Sequence, residues 1–112
     1  MRLLHTTRSR KQFSILMSSR TVQAATMILH PRGTSSDEPE NEHPFAEQWL
    51  FVVKGTGRAI VARRSVRLKP SDLLLIGKGE RHQIINSGRS NLVTINFYSP
   101  PAYDRHGDVL NK

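Results

Sequence analysis

The chain has 112 residues and a formal net charge of +8 at pH 7. That length holds one domain and leaves no room for a second independent core. The sequence contains no cysteine, which excludes disulfide frameworks, thiolate metal sites and cysteine nucleophiles. Its longest apolar runs, residues 49–53 and 73–76, are too short to cross a bilayer, so no membrane partner is expected.

Negative charge is concentrated in one segment of a basic chain. No acid precedes Asp37, and five acids then fall within eleven residues that contain no Lys or Arg, namely Asp37, Glu38, Glu40, Glu42 and Glu47. The basic residues elsewhere are mostly isolated, and no basic helix, zinc-finger spacing or aromatic RNA-binding signature accompanies them. We therefore interpret the positive charge as a solvated surface and do not expect a nucleic-acid partner.

The N-terminus allows two interpretations. Residues 1–20 are rich in Arg, Ser and Thr and contain no acid, a composition typical of organelle transit peptides. The alternative is a basic arm over residues 1–12 that leads into a first strand. We favour the arm, because cleavage would remove too much of a small domain. The predicted organisation is therefore an arm (1–12), one domain (13–103) and a C-terminal tail (104–112), in a cytoplasmic protein.

Short apolar runs separated by turn residues predict an all-β protein. The runs recur at a spacing of roughly 8–12 residues, as in β-sandwiches and barrels. Strands are predicted over residues 13–17, 22–29, 48–53, 58–62, 65–68, 73–76, 82–86 and 92–98. Residues 33–44 have no strand pattern and form a long acidic loop, and long loops in small domains are often functional.

The predicted strand over residues 48–53 is apolar on both faces. One face carries Trp49, Phe51 and Val53, and the other carries Leu50 and Val52 beside Gln48. A soluble monomer seldom exposes so large an apolar patch, so something must cover the outer face. The two covers we consider are a second copy of the chain and the N-terminal strand. We favour the second copy and predict a homodimer.

Two histidines begin predicted strands beside loops. His43 precedes Pro44, which holds the preceding backbone extended, and His82 follows a tight turn at residues 77–81. Both would lie where the mouth of a ligand pocket is expected. Spacing alone is weak support for a metal site.

The surroundings of these histidines resemble the two motifs of the cupin family. In residues 41–57, His43 and Gly55 occupy positions of the first motif, which runs His-x-His, three or four residues, Glu, six residues, Gly. In residues 71–86, Gly79, His82 and Asn86 match the second motif. Ser71 and Gly77 replace its usual Gly and Pro. The resemblance implies a double-stranded β-helix, a jelly-roll barrel of about eight strands around a pocket.

The resemblance also implies a set of metal ligands. When the first motif is aligned on Gly55, Gln48 replaces the Glu ligand, and Asn41 and His43 occupy the two His positions. Together with His82, these residues form the expected site. Counting from His43 instead offers Glu47 as an alternative to Gln48. Strand parity allows only one of the two to face inward, and we prefer Gln48.

The function expected from this site is binding of a divalent first-row metal ion and a small polar or anionic ligand. Imidazole suits Zn, Cu, Fe and Ni, and amide oxygens suit harder ions. Arg58 and Asn86 are the candidate ligand-binding residues, with Arg58 on one strand face with Ile60 and Ala62. Three alternatives stay open, namely a metal-free ligand-binding or sensing protein, a metal-dependent oxygenase, and a sugar isomerase or epimerase.

Overall fold

The computed structural model describes residues 1–8 and 11–110. A 3₁₀ turn at Thr6–Arg8 precedes eight strands, which are β1 (Phe13–Ser18), β2 (Gln23–Leu29), β3 (Glu47–Lys54), β4 (Gly57–Val61), β5 (Arg64–Leu68), β6 (Leu73–Ile76), β7 (His82–Ile85) and β8 (Leu92–Ser99). Every strand predicted from the sequence is present, with each end within one residue of its predicted position. The division into an arm, a domain and a tail stays a prediction.

The strands form two antiparallel sheets. The larger has the order β1-β2-β8-β3-β6, and the smaller has the order β5-β4-β7. Neighbours in space are mostly distant in sequence, as in a jelly roll. The double-stranded β-helix predicted from the sequence is confirmed. No helix in the part of the chain that the structure describes is long and apolar enough to span a membrane.

The two ends of the barrel interior differ in chemistry. At one end the inward side chains are apolar and form one cluster, made of Met27, Leu29, Leu50, Val52, Ala59, Leu68, Ile84 and Leu92. At the other end the inward residues of β2, β3 and β8 are polar or aromatic. They include Gln23 and Gln48, which both lie opposite Tyr98 in the sheet. The apolar end stabilises the barrel, and the polar end has room for a site.

The outer face of the larger sheet is apolar and is exposed where β8, β3 and β6 lie side by side, whereas Thr26 on the outer face of β2 is only 3% exposed and lies beside Thr6 and Thr7. Trp49 lies between Leu75 and Phe97 in the sheet register, and these three side chains are 37%, 46% and 39% exposed. The N-terminal strand does not cover them, because β1 pairs with β2 at the far edge of the same sheet. Of the two covers considered from the sequence, the N-terminal strand is therefore excluded.

The turns before and after β4 depend on positive φ angles. Gly55 has φ of 86°, and a Cβ there would lie 2.3 Å from the carbonyl oxygen of Asn91, so only glycine fits. The β4–β5 hairpin has a two-residue turn, Ala62–Arg63, with φ of 48° and 69°. Both central residues of a type I′ turn have φ above zero, a position that favours Asn and Gly over the residues present here.

Candidate metal and ligand site

His43 is fixed by the turn that enters β3. Its backbone nitrogen donates to Asn41 Oδ1 at 3.1 Å, and its carbonyl accepts from Ala46 N at 3.0 Å. The imidazole is buried, and its Nδ1 lies 3.4 Å from the carbonyl oxygen of Ala46. A hydrogen on Nδ1 would donate to this carbonyl oxygen and leave the lone pair of the neutral ring on Nε2, whereas the other tautomer would donate from Nε2 to Gln48 Oε1.

His82 is held in the same way at the start of β7. Its backbone pairs with Glu40 of the long acidic loop, and its Nδ1 lies 3.0 Å from the carbonyl oxygen of Glu80. Burial lowers the pKa of His82 below 6.5, and the bond to the Glu80 carbonyl opposes that shift only in part. The ring is therefore neutral at pH 7 and can present Nε2 as a ligand.

The structure brings His43, His82 and Gln48 together. The two imidazole rings are 5.2 Å apart between centroids, and His43 Nε2 lies 3.1 Å from Gln48 Oε1. Gln48 is inward and buried, as strand parity indicates. The three side chains come from a loop, from β3 and from β7, so the two sheets assemble the site between them.

Two tyrosines and a glutamate form the opposite side of the site. The ring centroid of Tyr98 lies 5.0 Å from that of His43, and the Tyr103 ring is 5.0 Å from Tyr98. The Tyr103 hydroxyl donates to Glu42 Oε1 at 3.2 Å. Burial raises the pKa of both tyrosines, and for Tyr103 the neighbouring Tyr98 and Glu42 add to the effect. Both hydroxyls therefore keep their protons at neutral pH.

A side-chain amide holds Tyr103 in place. Gln23 Oε1 accepts from the backbone nitrogens of Ala102 and Tyr103, and Gln23 Nε2 donates to the Tyr103 carbonyl at 2.8 Å. Gln23 is only 2% exposed. The start of the C-terminal segment is thus fixed to β2, and Gly107 from the same segment reaches the cavity wall.

These residues surround a cavity of about 190 Å³. Its wall includes His82 and Gln48, the two tyrosines, and hydroxyl and amide groups from the acidic loop and β8, namely Ser35, Ser36 and Asn96. Glu40 and Glu42 also line it, and no Lys or Arg is among the described lining residues. His43 lies just behind the wall, in contact with Gln48. The cavity therefore suits a small polar ligand or a cation.

Two residues of the predicted ligand set do not face the cavity. Glu47, the alternative to Gln48, points to the outer face, where its Oε1 accepts from Trp49 Nε1 at 3.1 Å. Asn41 uses its side-chain oxygen to cap the turn at His43 and does not line the cavity. In this structure Asn41 has a structural role, and its role as a metal ligand stays a prediction.

The two predicted ligand-binding residues also require correction. Arg58 is exposed on the outside of the smaller sheet, because the next residue, Ala59, occupies the barrel interior with no exposed surface. Asn86 is buried, but its amide donates to the carbonyls of Leu29 and Ser90, and its oxygen accepts from Gly88 N. Asn86 thus closes the turn after β7 and has no group left for a ligand.

The sequence analysis did not identify Glu42, Tyr98 and Tyr103. A signal for Tyr98 was present in β8, where Thr94, Asn96 and Tyr98 alternate with apolar residues. In a strand whose apolar face points outward, such a polar face indicates a polar interior. Tyr103 had no comparable signal, because its position depends on the distant Gln23 amide.

The donor set at His43 and His82 fits a metal ion. Histidines that bind metals usually donate their other ring hydrogen to a carbonyl or carboxylate, as both can here. In the tautomer with the hydrogen on Nδ1, His43 Nε2 and Gln48 Oε1 face each other as two acceptors 3.1 Å apart, an arrangement that a cation would stabilise. Ring centres about 5 Å apart also suit two imidazoles on one ion with bonds of about 2 Å.

The proposed metal ligands carry no negative charge. Within residues 1–8 and 11–110, no group of three or more His, Cys, Asp and Glu side chains is arranged to hold a metal ion. A bound ion would rely on two neutral imidazoles, the Gln48 oxygen, and water or ligand atoms. Such a site binds less tightly than one containing a carboxylate, because it lacks a compensating negative charge.

The strand order and the eight antiparallel strands define a small double-stranded β-helix. A family model described as "Cupin domain" matches residues 25–98, which is more than half of the chain. The chain belongs to the cupin-domain family.

Comparison with curated and solved proteins agrees with this assignment. The chain is 35% identical over 49 residues to the tetracenomycin polyketide synthase protein TcmJ of Streptomyces glaucescens, a match that covers 44% of this chain and 33% of TcmJ. It therefore corresponds to about a third of that relative's length.

Two solved structures show the same fold. BH2720 of Bacillus halodurans superposes with a TM-score of 0.80 at 25% identity, covering 93% of this chain and 80% of its own. A Thermotoga maritima protein described as a predicted oxalate decarboxylase superposes with a TM-score of 0.68 at 19% identity, covering 80% and 79%. The second likeness shows the fold alone.

Proposed function

We propose that this cupin binds one divalent first-row metal ion through His43, His82 and Gln48, and a small polar ligand in the adjoining cavity. The observation that supports the proposal is the pair of imidazoles, each with Nδ1 at a backbone carbonyl and with ring centroids 5.2 Å apart. The cytoplasmic location predicted from the sequence is part of the same proposal.

The lining of the cavity favours a neutral polar ligand. Tyr98, Tyr103 and Gln48 offer hydrogen-bond donors and acceptors to such a molecule. Glu40 and Glu42 would repel an anion, so an anionic ligand would need the positive charge of the metal ion. A bound ion would supply that charge and polarise a ligand oxygen.

The experiment that tests the metal site is calorimetric titration with Zn²⁺. We expect one site per chain in the parent protein and none in His82→Ala, because that change removes one of two nitrogen ligands. His82→Gln, which keeps a polar side chain of similar length, covers the case in which the alanine variant does not fold. The matched control is His106→Ala at an exposed histidine, which should bind like the parent. Equal binding by both His82 variants and the parent would overturn the proposal.

A second candidate function is acid–base catalysis of an isomerase or epimerase type. Neutral His82 could accept a proton from a substrate, and Tyr103 carries a hydroxyl in the same cavity that could return one. Incubation with a panel of aldoses and ketoses in D₂O tests this function. Incorporation of deuterium beside the carbonyl, lost in His82→Gln and in Tyr103→Phe, would support it, and no incorporation with any sugar of the panel would count against it.

We also propose that the chain forms a homodimer through the outer face of the larger sheet. Trp49, Leu75 and Phe97 form a contiguous apolar surface there, and Leu73 and Val53 extend it with 59% and 43% of their surface exposed. Aromatic residues are enriched at the centres of protein interfaces, and twofold dimers are the commonest assemblies.

A further inference from the structure

The outer face of the smaller sheet carries two arginines directly opposite each other. Arg58 of β4 pairs with Arg67 of β5 in the sheet register, and both side chains are exposed. Like charges in directly opposed positions of neighbouring strands destabilise a sheet. Arg58 Nε donates to Ser65 Oγ at 3.3 Å, which orients one guanidinium along the hairpin without neutralising it.

No carboxylate compensates this pair in the part of the chain that the structure describes. The one ion pair found there joins Lys69 Nζ to Asp72 Oδ1 at 3.0 Å. Arg58 and Arg67 make no ion pair with any described residue, so their mutual repulsion is opposed only by solvent and salt. Such a pair of unneutralised guanidinium groups is suited to hold an anion between them.

The two arginines line an open cleft of about 470 Å³ on the outside of the barrel. The other lining residues are Thr56, Gly57, Leu68, Lys69 and Ser87, and no acid is among them. Hydroxyl groups therefore accompany the guanidinium groups, together with Lys69, whose ammonium group pairs with Asp72. The volume is enough for a small phosphorylated molecule, and the walls offer only hydrogen-bond donors or neutral groups to its oxygens.

The charge of this cleft is opposite to that of the barrel cavity. Glu40 and Glu42 line the cavity, whereas Arg58, Arg67 and Lys69 line the cleft. An anion is therefore repelled from the barrel cavity and attracted to the cleft. The guanidinium group matches phosphate oxygens with paired hydrogen bonds, and a phosphoryl group has enough oxygens to accept from two such groups.

We propose that the cleft between β4 and β5 binds a small phosphorylated molecule, with the phosphoryl group held between Arg58 and Arg67. This site is separate from the barrel cavity and does not depend on the proposed metal ion. Arg58 was predicted from the sequence as a ligand-binding residue of the barrel pocket, and the proposal keeps ligand binding by Arg58 but on the outer surface, where its side chain is exposed.

The test is an NMR titration of the ¹⁵N-labelled protein with inorganic pyrophosphate at low ionic strength. We expect saturable shifts at the amides of Gly57, Arg58, Leu68 and Ser87. Arg58→Gln/Arg67→Gln should weaken binding by about tenfold or more, because each charged hydrogen bond is worth at least about 1.4 kcal/mol. The matched control, Arg20→Gln/Arg105→Gln, removes the same charge from exposed positions elsewhere and should bind like the parent.

Three results would overturn the proposal. The first is the absence of saturable shifts at millimolar pyrophosphate. The second is an equal loss of affinity in the control variant, which would indicate a general effect of net charge. The third is binding of a single-stranded oligonucleotide at this face without binding of pyrophosphate, which would indicate a nucleic-acid surface.

Discussion

At the scale of single residues, Gln48 determines how tightly the proposed site can hold a metal ion. Its neutral amide oxygen lies 3.1 Å from His43 Nε2, where a carboxylate would add a full negative charge. We expect Gln48→Glu to bind Zn²⁺ about tenfold more tightly or better, since a charged oxygen attracts the ion more strongly.

Glu47→Gln is the matched control for that change. Glu47 neighbours Gln48 in the chain but bonds to Trp49 on the outer face, so its neutralisation should leave Zn²⁺ affinity unchanged. Both variants are measured by the same calorimetric titration. If Gln48→Glu binds no better than the parent, Gln48 is not a ligand.

His82 makes the stability of the metal-free protein depend on pH. Because burial lowers its pKa in the folded state, the unfolded chain takes up a proton first as the pH falls through 6.5. Stability should therefore decrease below 6.5 and level off once the pH is below the folded pKa. Urea unfolding with a chelator present, over roughly pH 7.5 to 5, measures this trend.

The control variants for the pH dependence are His82→Gln and His106→Gln. His82→Gln should lose the decrease in stability below pH 6.5. His106→Gln, at an exposed residue, should keep that decrease. Identical pH dependence in the parent and in His82→Gln would show that burial of His82 does not perturb its titration.

The sequence predicted which residue at the start of β3 points into the barrel, but it did not predict which face of β4 does. Strand parity indicated that only one of Gln48 and Glu47 points inward, the motif alignment on Gly55 favoured Gln48, and the structure places Gln48 inside and Glu47 outside. Parity failed in β4, because Ala59 and Ile60 are both apolar and the pattern could not say which one faces the interior. Arg58 was therefore assigned to the wrong face.

At the scale of elements, the β4–β5 turn is a local source of strain. Ala62 and Arg63 both have positive φ, which costs side chains other than Gly and Asn free energy. The double change Ala62→Asn/Arg63→Gly matches the preference of a type I′ turn and should raise the free energy of unfolding by about 1 kcal/mol. Urea unfolding measures the change.

Ser65→Gly is the control for the turn variant. It introduces glycine next to the turn, at a strand position, where the added freedom of the unfolded chain should lower stability. A turn variant that is no more stable than the parent would mean that Ala62 and Arg63 adopt other φ angles in solution.

The strands themselves were predictable because turn residues mark their ends. Glycine, proline or asparagine occurs in five of the seven connections between strands, and each strand end was found within one residue. The order of the strands in the sheets was not encoded in that pattern. It depends on long-range pairing, such as that of β2 with β8, and could be expected only from the resemblance to cupins.

At the scale of the whole molecule, the apolar outer face predicts the mass of the protein in solution. Sedimentation should give twice the chain mass of 12.7 kDa at micromolar concentration. Leu75→Lys places a charge beside Trp49 at the proposed interface and should yield the monomer. Val66→Lys, at an exposed apolar residue of the smaller sheet, is the matched control and should stay dimeric.

A parent protein that sediments at 12.7 kDa would contradict the dimer, as would dissociation of both variants. The second result would show that added charge, rather than loss of this surface, separates the subunits. The metal site would be unaffected by either result, since its ligands come from the interior of one chain.

The central claim, that the paired histidines hold a metal ion, is tested most directly by metal content. The protein is purified without a metal-chelating column and measured by elemental mass spectrometry. We expect one first-row divalent ion per chain in the parent protein, and neither a bound ion nor rebinding of Zn²⁺ in His82→Gln. A protein with no stoichiometric metal that also fails to bind added Zn²⁺, Mn²⁺, Fe²⁺, Co²⁺ or Ni²⁺ would contradict it.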